Sequence, residues 1–103
     1  MTKQKFSNRP KAIAGIPAYN EQRFISEIVS KARRYVDEVI VVDDGSLDDT
    51  AQLAEAAGAM VIRHKINQGV GQASKVCFEA AREKGANALV TLAGDGQHNP
   101  EEA

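Results

Sequence analysis

Two adjacent aspartates, Asp43 and Asp44, follow the β-branched run Val39-Ile40-Val41-Val42. A carboxylate at the end of a buried run can accept hydrogen bonds from a base or a ribose, or ligate a metal. The competing role is helix-start chemistry, in which acidic groups satisfy free N–H donors. Asp48 and Asp49 suit that second role, as first-turn helix residues. Asp95 lies in Gly94-Asp95-Gly96-Gln97-His98, after the last apolar run. A carboxylate there can hold a divalent cation, since Mg²⁺ is commonly bound by one or two carboxylates plus substrate phosphates. A plain turn aspartate before glycine is the alternative.

Other polar positions carry weaker signals. Gly69-Val70-Gly71 is a lone GxG outside the first βα turn, where a dinucleotide fingerprint belongs, and the chain has no GxxxxGK[ST]. It reads as two turn residues before a helix. His64 and His98 fall in expected loops, without the spacing of a helical metal pair, and a lone loop histidine is expected to face solvent. Cys77 sits on an apolar helix face and reads as inert packing.

The elements that must position these groups alternate along the chain. The run Ala12–Ile16 stops at Pro17 and predicts a first strand. Phe24, Ile25, Ile28, Val29, Ala32, Tyr35 and Val36 then recur at helical spacing. Asn20 is expected to cap that helix, with Glu21 in its first turn. Val39–Val42 predicts a strand buried on both faces, as in a parallel sheet. Ser46 and Asp49 suggest a capping box for a helix over 47–57, ended by Gly58. Met60–Ile62 predicts a third strand. Ala73, Val76, Cys77, Ala80 and Ala81 mark one face of a third helix, ended by Gly85, and Ala88–Leu92 predicts a fourth strand. The order βαβαβαβ predicts an α/β domain with a Rossmann-like parallel sheet between helices. Four polar loops then share the carboxyl edge of the strands, where open parallel sheets bind ligands.

Composition bounds the function. The 103 residues suffice for one domain. Residues 1–11 are polar and basic and read as a disordered arm, leaving 12–103 as the domain. Thirteen Lys+Arg against fourteen Asp+Glu give a net charge of -1. That excludes a strongly basic nucleic-acid binder, and no nucleic-acid partner is expected. One cysteine allows no intrachain disulfide and no cysteine zinc cage. No apolar run approaches the ~20 residues of a bilayer span, and the N-terminus lacks the apolar core of a signal peptide. A cytoplasmic location is the expectation. Asn99, Pro100, Glu101 and Glu102 announce a helix just before the last residue, so a truncated domain is expected.

Four segments together resemble the N-terminal half of a family 2 glycosyltransferase of GT-A fold. They are IPAYNE (16–21), VIVVDDGSLDDT (39–50), INQGVGQASK (66–75) and GDGQHNPEE (94–102). The last looks most like the polyprenyl-phosphate enzymes, such as dolichol-phosphate mannosyltransferases. The resemblance implies a nucleotide-diphosphate-sugar site, for a GDP- or UDP-sugar. It implies that Pro17, Tyr19 and Glu21 contact the nucleotide. Val42 and Asp44 would hold the base, with Asp44 the carboxylate acceptor. Ala93, Gly94 and Gln97 would line the donor pocket, and Asp95 would bind Mg²⁺ or Mn²⁺. Where the family's DxD element begins with Asp, this chain has Ala93, which would weaken metal binding.

The resemblance further implies inverting transfer of a hexose such as mannose to a polyprenyl or dolichyl phosphate. No catalytic residue is expected within these residues, and they are expected to be inactive alone. Membrane association would come from regions beyond them. Self-association through an exposed sheet edge is expected. Two alternatives remain at this point: a noncatalytic remnant, supported by Ala93, and a receiver-like signalling domain with an acidic pair.

Overall fold

The computed structural model describes residues 11–91. Four strands, β1 (Ala12–Ala18), β2 (Glu38–Asp44), β3 (Met60–His64) and β4 (Ala88–Thr91), form one parallel sheet in the order β3-β2-β1-β4. Three helices connect them: α1 (Ile25–Ala32), α2 (Thr50–Ala56) and α3 (Val70–Glu83).

Side-chain alternation along the strands splits the core in two. Ala14, Ile16 and Ala18 of β1 and Val39 and Val41 of β2 pack with Ile25, Val29 and Ala32 of α1 and Ala54 of α2. Ile13, Ile40 and Val42 face the other way, onto Ala73, Cys77 and Ala81 of α3. Helices therefore cover both faces, as the continuous apolar run of β2 requires. All of β2 beyond Glu38 is buried. Burying one Ile or Val side chain is worth roughly 1.5–3 kcal/mol, so these two clusters dominate the stability of the sheet.

Small residues let α3 approach β1 closely. A Cβ on Gly15 would stand 2.8 Å from Cys77 Cβ and 3.2 Å from its sulfur. Glycine here is a packing requirement of the α3 face.

Both expected glycine stops hold. Gly58 N–H donates to Glu55 O and Ala59 N–H to Ala54 O at the end of α2, and Gly85 and Ala86 repeat the pattern after α3. Other boundaries differ from expectation. β1 runs through Pro17 to Ala18. Lys11 O accepts from Asn87 on the β4 side, and Ala12 O from Asp37 on the β2 side. Odd-numbered residues of β1 thus turn their backbone groups towards β4. Pro17 is one of these, so the N–H that it lacks removes no bond to β2. Helix α1 starts at Ile25 and stops at Ala32, leaving Tyr35 exposed.

Candidate functional site

The strand order reverses between β1 and β4: β2 and β3 lie to one side of β1, and β4 to the other. Such a switch point opens a crevice at the carboxyl ends of the strands. The β1–α1, β2–α2 and β3–α3 loops meet at that edge.

The first two loops are tied by hydrogen bonds. Asn20 N–H donates to Ser46 Oγ at 2.7 Å, and Asn20 Oδ1 accepts from Leu47 N–H at 2.9 Å. Glu21 N–H donates to Thr50 Oγ1 at 2.8 Å, and the Thr50 hydroxyl donates onward to Asp48 Oδ1. Gln22 closes the set, accepting from Asp49 N–H at 3.2 Å and donating its N–H to Asp48 Oδ2 at 3.3 Å.

This corrects two helix-start expectations. Asn20 does not cap α1: it is left-handed, with φ of 53°, and bridges to the second loop. Ser46 and Asp49 form no capping box: α2 begins after Asp49, and the side chains of the cap residues, Phe24 for α1 and Asp49 for α2, make no capping bond. Ser46 serves Asn20 instead. Asp48 lies ahead of α2, not in its first turn, and accepts from Thr50 N–H at 3.0 Å. Burial raises the Asp48 carboxyl, but the bonds from Thr50 and Gln22 outweigh it and hold the pKa below the usual value.

The two adjacent aspartates face opposite layers and differ in role. Asp43 is fully buried. Its Oδ1 accepts from Ser46 N–H at 3.1 Å, and Arg63 Nε lies 3.3 Å from Oδ2, which accepts no hydrogen bond. Asp43 therefore holds the turn after β2. Asp44 reaches instead to the third loop. Its Oδ1 accepts from Gln68 N–H at 2.8 Å and meets His64 Nδ1 at 3.0 Å, while Oδ2 accepts from Gly69 N–H at 2.9 Å. Burial raises the Asp44 carboxyl, and the bonds from Gln68, His64 and Gly69 more than offset it, so its pKa is lowered. An ionised carboxylate has no proton to give, so His64 Nδ1 is the donor.

His64 is thus neither a loop residue nor solvent-facing. It extends β3, pairs with Asp44 in register, and its side chain is 11% exposed. The signal was present as a histidine two residues beyond an apolar run, but only the pairing with β2 shows that the strand continues. Gly69, one of the two expected turn residues, precedes α3 and gives its N–H to Asp44. Gly71 is already helical. Gly45 lets the loops touch: its φ is +84°, and a Cβ there would stand 2.6 Å from Asn67 N.

Five of the candidate site residues lie on or beside this edge. Pro17 and Val42 are paired in register near the ends of β1 and β2. Tyr19 is 43% exposed just beyond β1, and Glu21 follows it. The Val42 side chain is fully buried against α3 and belongs to the core. Asp44 is described above. Ala93, Gly94, Asp95 and Gln97 lie outside the described residues, as does His98. Among the described residues no group of three or more His, Cys, Asp or Glu is placed to hold a metal.

A parallel sheet in this order, helix-covered on both faces with its polar loops at one edge, defines a Rossmann-like α/β domain. Residues 14–103 match the model of glycosyl transferase family 2, and the chain belongs to that family. Membership displaces the receiver-like alternative. A UDP-N-acetylglucosamine–dolichyl-phosphate N-acetylglucosaminyltransferase of Methanococcus voltae is 33% identical over 105 residues, covering 84% of this chain and 42% of that protein. An undecaprenyl-phosphate 4-deoxy-4-formamido-L-arabinose transferase of Pseudomonas fluorescens is 37% identical over 99 residues, covering 84% and 28%. The chain thus spans less than half the length of these curated relatives.

Solved structures agree on the fold. Mannosyl-3-phosphoglycerate synthase from Rubrobacter xylanophilus superposes with a TM-score of 0.76 at 21% identity, over 97% of this chain and 36% of that one. Glucosyl-3-phosphoglycerate synthase from Mycobacterium tuberculosis, in complex with Mn²⁺, UDP and glucosyl-3-phosphoglycerate, gives 0.68 at 26% identity, over 85% and 34%. The architecture is the sheet-and-helix half of a GT-A glycosyltransferase fold. No helix among the described residues is long and apolar enough to cross a membrane.

Proposed function

We propose that residues 12–103 form the donor-binding part of an inverting, nucleotide-diphosphate-sugar-dependent glycosyltransferase. The full protein would transfer a hexose, such as mannose, to a polyprenyl or dolichyl phosphate. The observation that carries this reading is the meeting of three loops at the carboxyl edge, the first tied to the second and the third bound to Asp44, in a chain of this family. The names of the two curated relatives, each a polyprenyl-phosphate or dolichyl-phosphate sugar transferase, support the acceptor class.

In this reading Pro17, Tyr19 and Glu21 line the nucleotide from the first loop. Asp44 defines the base pocket, with its carboxylate as acceptor, and Val42 contributes only as the buried β2 position that supports it. Ala93, Gly94 and Gln97 complete the donor pocket. Catalytic groups and the acceptor groove, with any membrane association, belong to regions outside these residues. The chain's own contribution is to orient the donor: the tied first and second loops hold their backbones before the ligand arrives, which lowers the ordering cost of binding.

Three of the described aspartates do not suit a metal, because Asp44 and Asp48 are committed to N–H and hydroxyl donors and the buried Asp43 to Ser46 N–H and Arg63. Asp95 is the proposed ligand of Mg²⁺ or Mn²⁺, the ions in complexes of the mycobacterial enzyme. When bound, such an ion neutralises charge on the leaving diphosphate. Self-association through the outer edge of β4 is a further part of the proposal. Val90 on that strand and Phe78 on α3 are both about half exposed.

Calorimetric titration with UDP and GDP, each with and without Mn²⁺, tests the donor site. Metal-enhanced binding of a nucleoside diphosphate is expected. Absence of binding by a folded sample would refute the donor-site reading for these residues, and sugar transfer by the 103 residues alone would refute their expected inactivity. Sedimentation at several concentrations tests self-association.

A further inference from the structure

The Asp44 carboxylate is almost saturated, and the pattern of saturation bears on which base it can accept. A carboxylate offers about four lone-pair positions, two on each oxygen. Oδ1 takes the His64 ring N–H and the Gln68 backbone N–H, which fill it. Among the described residues, Oδ2 takes the Gly69 N–H alone. One acceptor position remains, on Oδ2, and the side chain is only 5% exposed.

The two candidate bases ask different things of a carboxylate. Uracil presents one ring N–H between two carbonyls. Guanine presents a ring N–H and an amino N–H side by side, a pair that needs two acceptors. The geometry points to selection of uridine over guanosine diphosphate sugars, with His64 and the Gln68 N–H as specificity-determining groups because they occupy Oδ1. Guanine would leave one donor unpaired in a desolvated site or displace one of the two. Either outcome weakens binding by about tenfold or more. The inference rests on the reading of Asp44 as the base acceptor.

Titration of the full chain with UDP and with GDP, in the same buffer with Mn²⁺, is the test. The unaltered chain is expected to bind UDP about tenfold or more tightly than GDP. His64→Phe keeps the ring and removes the Nδ1 donor, opening a second acceptor position on Oδ1. The UDP-to-GDP affinity ratio is then expected to fall about tenfold. A purely structural role for His64 would weaken both nucleotides alike and leave the ratio unchanged, which overturns the assignment to His64. Gln68→Pro deletes the other Oδ1 donor from an exposed loop position and makes the same comparison should His64→Phe fail to fold. Equal or tighter binding of GDP by the unaltered chain overturns the selection while leaving the donor site standing. Binding of neither removes the donor site and the selection with it.

Discussion

The backbone N–H of Asn20 lies 2.7 Å from Ser46 Oγ, joining residues 26 apart in sequence at the ends of neighbouring strands. With the return bond from Leu47 N–H to Asn20 Oδ1, it makes the first two loops one unit. Asn20 reaches this position with a left-handed backbone. Asparagine tolerates that conformation better than most residues.

Asn20 therefore separates two contributions. Asn20→Gly keeps the left-handed backbone and loses the side-chain bond, at about 1 kcal/mol. Asn20→Ala loses the same bond and adds a backbone penalty of roughly 1–2 kcal/mol. Urea unfolding should rank the chain unaltered, then Gly, then Ala. Equal stability of the two variants would show that the backbone conformation costs nothing here.

Acid should destabilise the domain through its depressed carboxylates. The pKa values of Asp44, Asp48 and Glu38 are all lowered in the folded chain. Glu38 is lowered by hydrogen bonds and charge from Lys11 and Lys84 at the opposite edge of the sheet, and partial exposure screens its share. The unfolded chain binds protons first, so this stability is complete above about pH 5 and is lost as pH falls through the folded values. Thermal melts from pH 6 to pH 2 should show a falling Tm below pH 5. Asp44→Asn should flatten that slope. An unchanged slope would remove Asp44 from the account.

Gly15→Ala should destabilise the domain by about 1–3 kcal/mol, because the new methyl meets Cys77 at 2.8 Å. Cys77→Ala on top of it removes the sulfur contact but not the Cβ contact. Rescue should be partial, and denaturant midpoints of the single and double variants measure it. Full rescue would mean that α3 can shift outward from β1.

Cys77 should resist thiol reagents in the native state. It is fully buried, and burial pushes its thiol pKa up to about 11, against a small opposing bond from the Val42 backbone. Labelling with a disulfide reagent at pH 8 should be slow for the folded chain and immediate in denaturant. Fast native labelling would reveal frequent opening of α3 from the sheet.

Much of this fold was legible because burial leaves a periodic trace. The run Val39–Val42 marked the central strand, Ala73, Cys77 and Ala81 marked the α3 face, and Gly58 and Gly85 marked two helix ends. The polar loops misled for a physical reason. Ser, Asn, Asp and Thr serve helix caps and cross-loop bridges with the same atoms. Asn20, Ser46 and Asp49 looked like caps when read locally, yet Asn20 and Ser46 are used by each other. His64 looks locally like a loop residue because its partner, Asp44, is 20 residues earlier on another strand. The position of Asp44 at the strand end was legible. Its near-saturation was not, since two of its three donors are backbone N–H groups that no residue type reveals.

The strand order also sets a schedule for folding during synthesis. Ile13 pairs with Glu38 across 25 residues of chain and with Leu89 across 76. Closing the longer loop costs only about 1 kcal/mol more in entropy. The larger consequence is temporal. The ribosome delivers β1, α1, β2, α2 and β3 before any of α3. That nascent chain can bury Ile16, Val29 and Val41 at once, while Ile13, Ile40 and Val42 wait uncovered on the other face. For that interval the growing polypeptide carries a sticky apolar surface, and a chaperone that holds such surfaces would find its target there until Cys77 and Ala81 emerge.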